Sequence, residues 1–137
     1  MPLELSAGSL FAGIGGFCLG FGQAGIKTKW AIEYNSDAVM TYENNIKNVR
    51  IVKHNGFPAD IKNVQVEIDN LEQVDILHAG FPCQSFSMAG EKKGFDDPRG
   101  KLFYEVIRII GEFRDKKPSV LVLENAPHIR YGEGGRW

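Results

Sequence analysis

Three residues that could do chemistry, Glu33, Cys83 and Glu124, each come after an apolar stretch with the length of a buried strand. A cysteine thiolate can act as a nucleophile, and a carboxylate can bind hydroxyl groups or move protons. In open α/β sheets, ligands bind in the crevice beyond the carboxyl ends of the strands. We therefore expect the three side chains to face one site if their strands are parallel neighbours.

Cys83 has two interpretations that the residues alone leave about evenly matched. A lone cysteine is most often a small buried hydrophobic residue. Here it follows Pro82 and opens a long segment, 84–100, that is rich in glycine, serine and charge. Loops of this length are usually functional, and an exposed thiol beside a ligand is suited to nucleophilic attack.

A glycine-rich turn, with Gly13, Gly15 and Gly16, follows the first predicted strand. Glycines let the backbone pass close to a ligand, and the helix that follows offers free N–H groups. Glu33 lies twenty residues after Gly13, at the end of the next strand, where a carboxylate can accept both hydroxyls of a ribose. The spacing departs from G-x-G-x-x-G, which disfavours NAD. A tight turn without any ligand remains the alternative.

Glu124 closes a run of four apolar residues, 120–123. A carboxylate at that point is either a helix cap or a site residue, and its position favours a site. The histidines have no metal-ligand spacing with Cys83 or with one another, so we interpret them as structural and expect no metal. Cys18 falls within the first predicted helix and is expected in the core.

Hydrophobic periodicity predicts alternating strands and helices. We expect strands at 5–11, 27–33, 49–52, 74–79 and 119–123, and helices at 17–25, after an N-cap at Ser36, and at 101–113. This alternation predicts an α/β fold with right-handed crossovers and a mostly parallel sheet.

Composition limits the class of protein. The 137 residues are 43% hydrophobic and 24% charged with a net charge of −1, which excludes a disordered chain and a histone-like basic protein. Two cysteines are too few for a disulfide framework. Neither a membrane span nor a signal peptide is evident, so a soluble, cytoplasmic protein is expected.

The chemistry-bearing segments together resemble one known family, the DNA (cytosine-5) methyltransferases. The sequence FAGIGGF at 11–17 looks like that family's S-adenosylmethionine loop. GFPCQSFS at 80–87 is similar to its catalytic loop and is highly specific, and GFDDPRGKLF at 94–103 continues the match. LEN at 123–125 is similar to its Glu-Asn-Val motif, with Ala126 in place of valine. The segments also occur in the family's order.

This resemblance implies a Rossmann-like methyltransferase with strand order 3-2-1-4-5 and S-adenosylmethionine as the methyl donor. It implies that Cys83 adds to C6 of a cytosine flipped out of double-stranded DNA, while Glu124 holds and protonates the N3 side of the ring. Glu33 is implied to bind the ribose, with Asp60, Ile61 and Tyr34 around the adenine. The implied cofactor-binding residues are Phe11, Ala12, Gly13, Gly15, Gly16, Glu33, Tyr34, Asp60, Ile61, Pro82 and Leu102.

The family extends beyond the motifs found here, with a target-recognition domain and a returning C-terminal segment. Residues 1–137 are therefore expected to be the N-terminal part of one catalytic domain, inactive without a complementary chain or segment. Strand 119–123 is then expected to form an exposed edge that self-associates, and loop 81–100 to move when DNA is absent. Three other functions stay open: methylation of RNA cytosine, non-catalytic binding of S-adenosylmethionine, and, remotely, a dehydrogenase.

Overall fold

The computed structural model describes residues 3–82, 98 and 100–127. Cys83, most of loop 81–100 and His128 lie outside the described residues. The expectation that this loop moves therefore concerns residues that the structure does not describe. The strands are β1 Ser6–Leu10, β2 Lys27–Ile32, β3 Arg50–Ile51, β4 Lys53–His54, β5 Phe57–Pro58, β6 Ile76–Ala79 and β7 Val120–Leu123. The helices are α1 Gly16–Gln23, α2 Ser36–Asn45 and α3 Leu102–Glu112, with 3₁₀ turns at Ile61–Asn63 and Arg114–Lys116.

The main sheet has five parallel strands in the order β3-β2-β1-β6-β7. The predicted α/β class and strand order are therefore confirmed. β4 and β5 form a separate antiparallel hairpin that the sequence did not predict. Each has only two residues, so neither is long enough to show a periodic pattern.

Two buried clusters hold the helices against the sheet. The larger lies between the sheet and α3 and contains Trp30, Leu77 and Ile109, all fully buried. The smaller contains Tyr42 and Cys18, which is buried as expected. Together they fix the strand ends whose loops carry the candidate site.

The start of α2 differs by one residue from the prediction. Asn35, not Ser36, is the N-cap, because the Asn35 side chain accepts a hydrogen bond from the Ala38 amide at 2.9 Å. Both residue types cap helices well, so composition alone does not separate them.

Candidate cofactor and active site

The turn after β1 has an unusual backbone. Phe11, Gly13 and Gly15 have φ values of 54°, 58° and 98°. The turn is closed by hydrogen bonds from the Ala12 amide to the Ile32 carbonyl and from the Gly15 amide to the Ala12 carbonyl, both 3.1 Å. A Cβ at Gly15 would lie 2.8 Å from Cδ2 of the fully buried Tyr42 ring and would strain the left-handed backbone, so glycine is strongly favoured there. Helix α1 begins immediately afterwards, at Gly16.

Glu33 ties the end of β2 to this turn. Its Oε2 accepts a hydrogen bond from the Gly13 amide and its Oε1 one from the Asn35 amide, each at 2.9 Å. Both oxygens are thereby held in place, yet each keeps accepting capacity for a further donor. The carboxylate is thus oriented for a ligand before any ligand binds.

An open cleft of about 480 Å³ lies at the carboxyl ends of the strands. Its volume falls within the range of small-molecule sites, about 300–1,000 Å³. Its lining residues are Phe11, Ile32, Glu33, Tyr34, Asp60, Ile61, Lys62, Gly80, Pro82 and Leu102. Seven of these are residues that the sequence analysis assigned to the cofactor; Ala12, Gly13, Gly15 and Gly16 instead form the turn at the end of β1. Ile32, Lys62 and Gly80 line the cleft without having been predicted.

The wall that carries Asp60 and Ile61 is held from behind by α3. The Arg108 guanidinium donates to the Ile61 carbonyl at 2.7 Å and to the Val64 carbonyl at 2.9 Å. Asp60 caps the 3₁₀ turn by accepting from the Lys62 amide at 3.0 Å. The role of Arg108 was not predicted from the sequence, because a helical pattern does not reveal a contact between residues that are 47 positions apart.

The carboxyl ends of β6 and β7 form the second part of the site. The Glu124 amide donates to the Ala79 carbonyl at 3.1 Å, which places Glu124 beside Gly80. The Asn125 side chain donates to the Phe81 carbonyl at 3.0 Å and joins the two chain segments that leave the sheet. Glu124 itself is exposed, with no side-chain hydrogen bond to a described residue.

His78 lies beneath this end of the sheet and is only 2% exposed. Its Nδ1 is 2.9 Å from the hydroxyl of Ser9, which is also buried, and the Phe17 ring stacks on the imidazole at 3.8 Å between centroids. Burial lowers the pKa of His78 to about 4, so the ring is neutral at pH 7. From the sequence we interpreted this histidine as structural. The structure distinguishes it from the other histidines by its buried contact with Ser9 on the neighbouring strand.

The described residues contain neither a metal-binding cluster nor a membrane-spanning helix. No three His, Cys, Asp or Glu side chains come together in a way that could hold a metal ion. No helix in residues 3–82, 98 and 100–127 is long and apolar enough to cross a membrane.

Comparison with known proteins then decides the family. The model of the family described as C-5 cytosine-specific DNA methylase matches residues 5–135. The chain belongs to this family. The match includes both sequence motifs that surround Cys83 and Glu124, so the resemblance inferred from those motifs is confirmed.

Related methylases are similar to the chain over nearly all of its length. Type II methyltransferase M.Bsp6I from Bacillus sp. (strain RFL6) is 46% identical over 127 residues, which are 91% of this chain and 37% of that protein. Type II methyltransferase M.HhaI from Haemophilus parahaemolyticus is 40% identical over 126 residues, which are 92% of this chain and 35% of that protein. The chain thus spans little more than a third of the length of these relatives.

A solved structure shows the same fold. The methyltransferase EhMeth of Entamoeba histolytica superposes with a TM-score of 0.72 at 20% identity, over 96% of this chain and 41% of that chain. The Rossmann-like methyltransferase fold is therefore confirmed, and at this identity the likeness carries no more than the fold.

Proposed function

We propose that this chain forms the S-adenosylmethionine site, and supplies the nucleophile and the acid, of a DNA methylase that acts on C5 of cytosine. One observation carries the proposal. A single cleft at the carboxyl ends of the strands is lined by seven of the residues that the motifs assign to the cofactor.

The residues of the cleft suit the parts of S-adenosylmethionine. Glu33, with both oxygens held by backbone amides, would accept the two ribose hydroxyls. Phe11, Ile61, Leu102 and the exposed ring of Tyr34 would provide apolar surface for the adenine, and Asp60 an acceptor near it. When bound, the cofactor supplies a methyl group that is electrophilic because its sulfur is positively charged.

The chain's own groups would prepare the base. The Cys83 thiolate would add to C6 of the flipped cytosine, which makes C5 electron-rich and therefore nucleophilic. Glu124 would donate a proton at N3 and stabilise the charge that develops on the ring. Once C5 has taken the methyl group, loss of the C5 proton to water, return of the N3 proton to Glu124 and release of the Cys83 thiolate from C6 would end the cycle. Flipping is required because C6 is unreachable inside a stacked duplex.

The family and the relatives favour DNA over RNA as the substrate. The matching family is described by its action on DNA, and the type II methyltransferases among the relatives come from bacteria. We accordingly place the reaction in a bacterial cytoplasm, as part of a restriction–modification system. Recognition of a DNA sequence would fall to the part of the relatives that this chain does not span, on the same or on a complementary chain.

Binding is the first test. Calorimetric titration of the chain with S-adenosylhomocysteine should show one site, and NADH should not compete. Tighter binding of NADH would contradict the proposal and favour a dehydrogenase.

Covalent trapping is the second test, carried out with the methylase that contains this chain. DNA with 5-fluorocytosine in the target site should form a stable adduct, because fluorine cannot leave as a proton does. Cys83→Ser should form none, whereas Cys18→Ala should retain it, since Cys18 is buried in the smaller core cluster. Cofactor binding with no adduct would instead support a non-catalytic binding protein.

A further inference from the structure

His78 has a buried nitrogen that none of the interactions described above uses. Its Nε2 is inaccessible to solvent and has no hydrogen-bond partner among the described residues. Buried polar groups are nearly always paired, so an unpaired one calls for a partner that the described residues do not supply. The same side chain makes two well-formed contacts, with Ser9 and Phe17, so its ring orientation is defined.

The contact with Ser9 links the direction of its hydrogen bond to the imidazole tautomer. His78 Nδ1 is the partner that the fully buried Ser9 hydroxyl reaches among the described residues. When the hydroxyl donates, Nδ1 of the neutral ring accepts and the ring proton is on Nε2, which makes Nε2 a donor without an acceptor among the described residues. This is the tautomer that positioning of a carboxylate requires.

The space next to this donor also borders Glu124. A Cβ built on Gly80 would lie 3.5 Å from His78 Nε2 and 3.5 Å from Glu124 Oε2. Both atoms therefore lie next to Gly80, around the point that its Cβ would occupy. Because residue 80 is a glycine, no side chain of its own stands between them.

We propose that His78 is a positioning residue for Glu124: its Nε2–H group donates to the Glu124 carboxyl group, directly or through one water, and keeps it at the end of β7. This rests on the proposed function only in assigning Glu124 to the target base. The backbone of Glu124 is fixed by the strand ladder, but its side chain is exposed and has three rotatable bonds. A donor anchored by Ser9 and stacked under Phe17 would restrict those rotations and leave the second carboxyl oxygen for the base.

The position of Phe17 extends this arrangement to the cofactor turn. Phe17 is the second residue of α1, directly after the glycines that close the turn. Its ring lies on the imidazole at an interplanar angle of 21°. The stack of Phe17 on His78 therefore connects the turn at the cofactor side with the residue that is proposed to position Glu124.

Nuclear magnetic resonance on the chain itself tests the contact without any measurement of activity. A long-range ¹H–¹⁵N spectrum at pH 7 should show His78 as the neutral tautomer with the proton on Nε2. Ser9→Ala should weaken that tautomer preference. Glu124→Ala should shift the Nε2 proton resonance and speed its exchange with water, whereas Glu43→Ala, a change at a carboxylate that pairs with Lys53, should do neither.

Two outcomes of these spectra would overturn the proposal. One is a proton on Nδ1 in the unmodified chain. The other is an Nε2 resonance that stays the same in Glu124→Ala.

Kinetics of the methylase that contains this chain separate positioning from simple packing. His78→Leu fills similar space without a donor and should lower kcat roughly tenfold or more, as small misplacements of catalytic groups do, with the KM for S-adenosylmethionine unchanged. His78→Gln can place an amide N–H near the same point and should recover much of the rate. Equal losses in the two variants would overturn the proposal.

These readouts remain distinct from a failure of the proposed function. Should the chain not bind S-adenosylhomocysteine, the proposed function fails, while the spectra still decide whether His78 and Glu124 interact.

Discussion

The two carboxylates of the site lie at equivalent places in the fold but are held very differently. Glu33, at the end of β2, is fixed by two backbone amides at 2.9 Å. Glu124, at the end of β7, is exposed and has no side-chain hydrogen bond to a described residue. The cofactor end of the sheet, β1 and β2, therefore fixes its carboxylate through backbone amides, whereas the base end, β6 and β7, offers Glu124 only the proposed contact with the His78 side chain.

This contrast agrees with what each end is proposed to bind. A small cofactor with fixed hydroxyl positions favours a carboxylate that is oriented in advance, because less entropy is lost on binding. A base that has left the duplex arrives still attached to the DNA backbone, so the acid at that end can be held by one side-chain contact and keep its second oxygen for the base. The difference suggests substitutions that should harm one end and spare the other.

Glycine substitutions should show the largest difference. Gly15→Ala adds a Cβ 2.8 Å from Cδ2 of the fully buried Tyr42 ring and at a φ of 98°, and should cost about 3 kcal/mol of unfolding free energy. Gly80→Ala meets no atom closer than 3.5 Å and should cost less than about 1 kcal/mol. Urea denaturation of the two variants measures both values, and similar losses would contradict a rigid cofactor end beside a permissive base end.

Acid should destabilise the base end through His78. The pKa of His78 is about 4 in the folded chain, lowered by burial from 6.5, so the unfolded chain takes up the proton first. Stability should therefore fall as the pH drops from about 6.5 to about 4, by at most about 3 kcal/mol. His78→Gln should lack this part of the decline.

The comparison with His78→Gln also cancels the contributions that other acid-sensitive groups make to the pH dependence of stability. Hydrogen bonds from Ser6 lower the pKa of Asp75, so its stabilisation is lost in acid as well, but equally in both proteins. Urea denaturation at several pH values gives the difference. Parallel curves for the two proteins would show that His78 is protonated as readily in the fold as outside it.

Removal of each carboxylate should affect cofactor affinity unequally. Glu33→Ala removes the ribose acceptor and releases Gly13 and Asn35, and should weaken S-adenosylhomocysteine binding about a hundredfold. Glu124→Ala should change it less than about twofold, because Glu124 is not part of the cleft lining. Calorimetric titration measures both affinities, and Asp37→Ala, a change at an exposed residue of α2, is the control. Unchanged affinity in Glu33→Ala would remove Glu33 from the site.

The smallest effect on the fold is expected at the outer strand. Val120, Leu121 and Leu123 are 50%, 41% and 45% exposed, and β7 pairs with β6 alone among the described strands. Such an apolar edge recruits other strands, so the isolated chain should self-associate. Leu121→Lys should reduce light scattering and change unfolding free energy by no more than about 0.5 kcal/mol. A monodisperse unmodified chain would show that this edge does not drive association.

Much of the architecture follows from patterns that are local in sequence. The apolar runs 74–79 and 119–123, separated by helical periodicity, sufficed to predict a mostly parallel sheet, whereas the strand order was implied by the family resemblance. The glycines after β1 and the carboxylate after β2 could be placed at one end of that sheet, because the carboxyl ends of parallel strands meet there. Short elements escaped prediction, since two-residue strands such as Lys53–His54 carry no period.

What the sequence by itself determined is which residue types stand at the strand ends, and hence the family, the fold and the chemistry that its motifs imply. Only the tertiary structure decided how those residues are held. Hydrogen bonds join these segments in the fold. The Gly13 and Asn35 amides donate to Glu33, Arg108 donates to the Ile61 carbonyl, and Ser9 pairs with His78. The Ser9–His78 pair spans 69 residues, and no pattern confined to one segment encodes such a contact. Sequence motifs specify which groups are available, whereas distances between elements decide which of them are free to act.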